Sequence, residues 1–127
     1  MKNKIIIIAG DPNSVNSEII SKVWRAVNPS LKKKLYLIAN FNLINKQLKK
    51  LKSKTSAIKI KKIDENSVTK KLKIIDIPLN FKNPFKVSLK NSTKYIIECF
   101  NLAHKLAQNK EVKGLINCPI DKKLLHK

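Results

Sequence analysis

Residues able to do chemistry concentrate at two places. The first is Gly10-Asp11-Pro12-Asn13-Ser14-Val15-Asn16-Ser17-Glu18, directly after the four isoleucines Ile5 to Ile8. Gly10 permits a tight backbone turn, and Pro12 stops a strand from running on. Asn13, Ser14, Asn16 and Ser17 are all competent helix caps, and an apolar helical pattern starts at Ile19. Strand, turn and helix N-terminus in that order make a place where backbone amides face an anion, with the Asp11 carboxylate on its rim. The same residues also suit the first βα unit of any α/β fold, and no glycine-rich phosphate fingerprint is present.

The second place is Cys118-Pro119-Ile120-Asp121-Lys122, after a short apolar run. Asp121 reads as a helix start, and Lys122 as either a solvated first-turn lysine or a group approaching an anionic ligand. Leu124 and Leu125 are its first buried positions, and the chain reads as cut off about one turn into this helix, a length with little stability of its own. Cys99 and Cys118 lack the spacing of a zinc or redox motif. In a chain with no secretory signal they indicate buried free thiols in a cytoplasmic protein. His104 and His126 belong to different elements and offer no metal-ligand pair; His104 reads as a structural or surface histidine.

The elements that must position these residues follow from hydrophobic period. Ile5 to Ile8 are β-branched, do not alternate, and end at a Gly-Asp-Pro breaker, so they read as a strand buried on both faces. Four apolar residues are far short of the roughly 20 that a membrane span needs. Glu18 to Val27 carries an apolar stripe of Ile19, Ile20, Val23, Trp24 and Val27 and ends at Asn28-Pro29. Leu35 to Ala39 is a second strand, and Asn40 caps a helix through Leu43, Ile44, Leu48 and Leu51. Ala57 to Ile63 alternates apolar residues with lysine, as a half-exposed edge strand does. Lys73 to Ile77 is a further strand, closed by Pro78. Residues 78 to 90 read as a loop without distinctive chemistry. Asn91 or Ser92 can cap a long helix with apolar positions Ile96, Cys99, Phe100, Ala103, Leu106 and Ala107. Val112 to Asn117 is the last strand. The βαβα rhythm predicts an α/β fold, a mostly parallel sheet flanked by helices with right-handed crossovers.

At 127 residues and 43% hydrophobic content the chain is the size of one globular domain. The net charge of +20 and a pI near 10.2 invite a nucleic-acid reading. Arg25 is the lone arginine among 28 basic residues, however, and aromatic residues make up only 6%. Forked phosphate recognition and base stacking are therefore poorly supplied. Lysine, asparagine and isoleucine, all with A/T-rich codons, are abundant together, so the lysines read as ordinary solvent-exposed positions of an A/T-biased gene. No specific nucleic-acid partner and no membrane association are expected.

Two of these segments match one family at corresponding places. Gly10-Asp11-Pro12 ending in Ser17-Glu18-Ile19 resembles the Gly-Asp/Glu-Pro…Gly-Pro-Glu-Ile signature of the 4-hydroxythreonine-4-phosphate dehydrogenase family. Gly114-Leu115-Ile116-Asn117-Cys118-Pro119-Ile120-Asp121-Lys122 resembles its strand followed by a Pro-x-x-Lys turn. The preceding long helix and the Asn109-Lys110-Glu111 link fit the family's order of elements. The match covers roughly residues 4–27 and 86–127 and is weak between Leu31 and Asn83. It departs from the family in the first turn, where Asn13, Ser14, Asn16 and Ser17 replace small residues.

The resemblance implies an isocitrate/isopropylmalate dehydrogenase-like fold of two α/β domains without the usual dinucleotide fingerprint. It implies an NAD-dependent enzyme of pyridoxal phosphate (vitamin B6) synthesis that oxidises 4-phosphooxy-threonine, which then loses carbon dioxide. A divalent metal held by histidines and a cleft at a homodimer interface belong to the same implication. The family's metal histidines and most of its substrate-binding residues lie downstream of Lys127, and His126 is too near the Pro-x-x-Lys turn to be one of them. Residues 1–127 are thus expected to be an N-terminal part, without metal ligands or catalytic residues and inactive alone. Asp11 and Lys122 are its candidates to face the cleft. Related enzymes acting on threonate or erythronate 4-phosphates fit the same residues, and a small basic nucleic-acid-binding module or a stand-alone α/β binding domain are the readings from other classes. Ligands in open α/β sheets gather at the carboxyl ends of strands. The strands 4–9 and 113–117 are therefore predicted to be parallel neighbours, with Asp11 and Lys122 on one rim.

Overall fold

A computed structural model describes residues 3–63 and 70–118. The elements in chain order are β1 (Lys4–Ile8), α1 (Asn16–Ala26), the single-turn α2 (Pro29–Lys32), β2 (Leu35–Ala39), α3 (Phe41–Lys50), β3 (Ala57–Ile60), β4 (Leu72–Asp76), α4 (Leu89–Ala107) and β5 (Val112–Asn117). The five strands form one sheet in the order β3-β4-β2-β1-β5, and every neighbouring pair is parallel. β1 pairs with β5 in the register Ile5↔Gly114 to Ile8↔Asn117, as predicted for those two strands.

Helices cover both faces, as the long crossovers of a parallel sheet require. On one face α4 lays Tyr95, Ile96, Cys99 and Ala103 against Ile6, Ile8, Tyr36, Ile38 and Ile75. On the other, α1 and α3 lay Ile20, Trp24, Ile44 and Leu48 against Leu35, Leu37, Leu72 and Ile74. Burial of each such side chain contributes about 1.5–3 kcal/mol. β2, central in the sheet, is buried at all five positions. β1 departs from its expected double-sided burial: Ile6 and Ile8 are sealed under α4, while Ile5 and Ile7 are half-buried.

Several boundaries differ from the sequence reading. β3 stops at Ile60 and β4 runs Leu72–Asp76. α4 begins earlier, at Leu89, because the Ser88 hydroxyl accepts a hydrogen bond from the Asn91 amide and caps it. Neither Asn91 nor Ser92 is the cap. α1 starts at Asn16 behind Val15, which offers no side-chain cap; of the expected capping side chains, those of Asn13, Ser14 and Asn16 bond to the loops instead. Two lysines break the expectation of a solvated basic surface. Lys4 and Lys73 are 4% and 0% exposed, and the Lys73 ammonium lies 4.0 Å from the Tyr36 ring centroid while donating to the Lys33 carbonyl (2.9 Å). Asp121, Lys122 and the helix expected to start at Asp121 lie outside the described residues.

Candidate functional site

The carboxyl ends of all the parallel strands share one rim, and three connections meet there. The turn after β1 is shaped by its own side chains. Gly10 takes φ 79°, which costs glycine nothing and strains other residues. The Asn13 amide donates to Asp11 Oδ1 (2.9 Å), the Ser14 hydroxyl to the Asp11 carbonyl (2.7 Å), and Asn16 Nδ2 to the Ala9 carbonyl (2.9 Å). Asn13, Ser14 and Asn16, three of the four residues that stand where the resembled family has small ones, are therefore structural: they hold the turn closed. Ser17, 4% exposed, buries a hydroxyl that has no hydrogen-bond partner among the described residues, at the head of α1.

This turn is tied to the segment between β4 and α4. Asn13 Nδ2 donates to the Val87 carbonyl (2.8 Å), and the Val87 amide donates back to Asn13 Oδ1 (2.7 Å). Gln47 of α3, 2% exposed, donates to the carbonyls of Pro12 and Pro84, both at 2.7 Å. The turn after β2 is fixed in the same manner. Asn40 Oδ1 accepts from the Leu43 amide (2.9 Å) and its Nδ2 donates to the Ile77 carbonyl (2.8 Å). The Asn40 amide donates to the Tyr95 hydroxyl (2.8 Å), and the Phe41 amide to Asp76 Oδ1 (2.8 Å). After β5, the Cys118 amide donates to the Ile8 carbonyl (3.0 Å), so Cys118 lies beside the end of β1.

Asp11 is thus where the sequence places it, half-buried on the rim, with one carboxylate oxygen engaged by its own turn. Lys122 lies outside the described residues. The rim also carries a feature that the sequence reading passed over as an undistinguished loop. Asn80, Phe81, Lys82, Lys86, Ser88 and Asn91 line an open groove of about 500 Å³ at the head of α4. Two lysines beside a helix N-terminus favour an anion there. Nothing in a chain so rich in lysine marks Lys82 and Lys86 in advance.

The thiols and histidine are chemically quiet. Burial pushes the Cys99 thiol up to about 12, with a hydrogen bond to Tyr95 opposing it in part, and raises the Tyr95 hydroxyl well above its ordinary value. Burial raises Cys118 as well. Neither cysteine is a thiolate at neutral pH, so neither is a ready nucleophile or soft metal ligand. His104 is exposed on α4. No group of three His, Cys, Asp or Glu side chains able to hold a metal exists among the described residues.

Comparisons with known proteins agree with this architecture. Solved structures of 4-hydroxythreonine-4-phosphate dehydrogenases from Burkholderia phymatum and Klebsiella pneumoniae superpose with TM-scores of 0.84 and 0.79 at 19% and 21% identity. They match 99% and 98% of this chain and 39% of each of theirs, a likeness of fold. The chain spans about 40% of the length of the solved chains it matches. No curated protein sequence matches it. The model of the family described as pyridoxal phosphate biosynthetic protein PdxA, in contrast, matches residues 13–127, nearly the whole chain. Its parallel sheet, its rim of interlocked turns and this match together place the chain in the PdxA family.

Proposed function

We propose that the chain is the N-terminal part of a two-domain, NAD-dependent and metal-requiring dehydrogenase, a cytoplasmic homodimer that oxidises and decarboxylates 4-phosphooxy-threonine in pyridoxal phosphate synthesis. The observation that carries this reading is the family match over residues 13–127. The geometry supports it by supplying half a cleft. The strand ends present a rigid rim with Asp11 at one turn and Lys82 and Lys86 at another, suited to orienting a phosphorylated substrate by its charge. The described residues do not suit the metal: they bring together no ligand set, and the thiols are protonated. On this reading proton transfer and metal binding fall to residues other than the described ones, and no chemical step is assigned to the described residues.

The test is an assay of the longer protein encoded by the continuing reading frame, with 4-phosphooxy-threonine, NAD and a divalent cation, following NADH. Turnover is expected from it and none above blank from the 127-residue chain. Turnover only with threonate or erythronate 4-phosphate would replace the substrate. Metal-dependent turnover by the 127-residue chain would overturn the placement of the site. In the longer protein, Lys122→Ala is expected to raise KM for the phosphorylated substrate by about tenfold, the worth of one charge-assisted hydrogen bond, with kcat changed less.

A further inference from the structure

The segment between β4 and α4 contains no helix or strand, yet three other parts of the chain hold it in place. Asn13 exchanges two hydrogen bonds with Val87, Gln47 donates to the Pro84 carbonyl, and Asn91 Nδ2 donates to the Asn80 carbonyl (3.1 Å). Within the segment the Lys86 amide donates to the Asn83 carbonyl (3.1 Å) and the Phe85 amide to Asn83 Oδ1 (2.9 Å). That turn sets Lys82 and Lys86 at its two ends, on the wall of one groove. A connection that merely joins a strand to a helix needs no such bracing. A loop braced on a rigid scaffold is the usual carrier of a binding site.

The charges around this groove are of one sign. Lys82 and Lys86 line it, and Lys46 of α3 stands over Phe81, another lining residue, with Nζ 5.4 Å from the ring centroid. No carboxylate among the described residues lines it: the other walls are Asn80, Ser88 and Asn91. The N-terminus of α4, a helix of 19 residues, opens beside them, and its Ser88 cap accepts from the Asn91 amide. The first-turn amides of Leu89 and Lys90 have no carbonyl within the helix to meet. Ser92 and Thr93, next in the helix, bury hydroxyls that have no partner among the described residues, so this turn holds polar capacity that the fold leaves unused.

The ligand that fits these features carries more than one negative charge on a compact group. A carboxylate would offset only one of three ammonium groups. A phosphomonoester carries about −1.5 to −2 charges at pH 7 and three acceptor oxygens, enough for two lysines and a helix N-terminus at once. A nucleic-acid backbone offers one charge per phosphate and asks for a row of cations, whereas a groove of about 500 Å³ is the size of one small molecule.

We infer that the groove at the head of α4, with Lys46, Lys82 and Lys86 around Phe81, is a binding site for a phosphomonoester dianion. Two sources share that chemistry, the phosphorylated substrate and a separate phosphorylated small molecule, and the test distinguishes them. Binding is measured without turnover, so the site does not stand or fall with the proposed function.

The test uses the longer protein and inorganic phosphate at constant ionic strength, with amide hydrogen exchange read peptide by peptide. Phosphate at ten times its Kd should slow exchange across residues 86–91 by about tenfold. Lys82→Ala/Lys86→Ala should raise the phosphate concentration for half of that protection at least about tenfold. Lys105→Ala/Lys110→Ala removes the same charge near the far end of α4, with Lys105 roughly 24 Å along the helix from Leu89, and should change it less than about twofold. All four lysines are exposed here, and unchanged exchange in the strands checks that each variant is folded. No protection at 86–91, or equal weakening by the two double variants, would overturn the site, the latter in favour of attraction to the overall charge. In dehydrogenase assays of the Lys82→Ala/Lys86→Ala protein, a higher KM for the phosphorylated substrate with KM for NAD unchanged assigns the phosphate to the substrate. Unchanged KM values with protection lost assign it to a second molecule. Protection without activity sinks the proposed function alone, and activity without protection sinks this site alone.

Discussion

Lys73 shows how a single residue can work against the fold that holds it. It sits on β4, one strand in from the sheet's edge, 0% exposed, against the Tyr36 ring and with Lys4 as a like-charged neighbour. Burial first, and the Lys4 charge second, lower its pKa from 10.5 to about 8. The unfolded chain therefore binds this proton more tightly than the folded one, and stability must rise with pH across the window between those two values. Below about 8 the lysine is charged in both states and the folded protein carries the full desolvation penalty. Above 10.5 it is neutral in both states and the penalty is gone. Lys73→Met removes the penalty at every pH. It should stabilise the protein at pH 7 by about 1–3 kcal/mol, with the difference from wild type shrinking toward pH 10.5. Urea midpoints of the two proteins across that range check the sign; a gap that is constant with pH would refute the account. The sequence gives no warning of this residue, because periodicity places an apolar run at 73–77 and leaves the burial of its first lysine undetermined.

At the scale of elements, the helix ends make the clearest predictions. Asn40 is a buried N-cap whose other amide end bonds the Ile77 carbonyl, so one side chain joins β2, α3 and the segment after β4. Asn40→Ala should cost about 2–4 kcal/mol, the sum of a lost cap and a buried carbonyl left unpaired. Asn40→Asp should recover the cap but not the second bond. The other end of α3 closes with the Ser53 amide donating to the Leu48 carbonyl (3.0 Å) and the Lys52 amide to the Lys49 carbonyl (3.1 Å), leaving Lys52 at φ 55°. A lysine in the left-handed region is strained, and Lys52→Gly should raise stability by about 1 kcal/mol in a denaturant titration. The two ends differ in how well the sequence foretells them. Asn40 stands between an apolar strand and an apolar helical stripe, and both neighbours point to a cap. Lys52 carries no turn signal, since tertiary packing of Leu43, Ile44 and Leu48 fixes the helix and drags the exit residue along. The same contrast separates strand β5, whose bounds periodicity gives directly, from the 78–88 segment, where Asn13 and Gln47 reach in from distant parts of the chain. Long-range hydrogen bonds leave no period in a sequence, and so the rim was legible at Asp11 and illegible at Lys82 and Lys86.

For the molecule as a whole the governing quantity is charge. Twenty-eight lysines and arginines face eight acidic residues, and folding gathers the excess onto a surface of 8072 Å² for the described residues. The Glu18–Lys22 pair at 3.3 Å is exposed, and pairs of that kind contribute little. The compact state thus repels itself more than the expanded chain does. Screening shortens from about 30 Å at 0.01 M salt to about 8 Å at 0.15 M, so repulsion across the molecule fades over that range. Stability should therefore rise with salt, by about 1–2 kcal/mol between those two ionic strengths, and equally in NaCl and KCl. The same excess governs polyanions in the opposite direction. Binding to nucleic acid driven by phosphate contacts alone should be blind to sequence and weaken by orders of magnitude between about 50 and 200 mM salt. The two titrations belong together: one charge excess has to make the fold firmer and the polyanion contact weaker as salt increases. Binding that stayed tight at 200 mM or discriminated between sequences would mean contacts beyond charge.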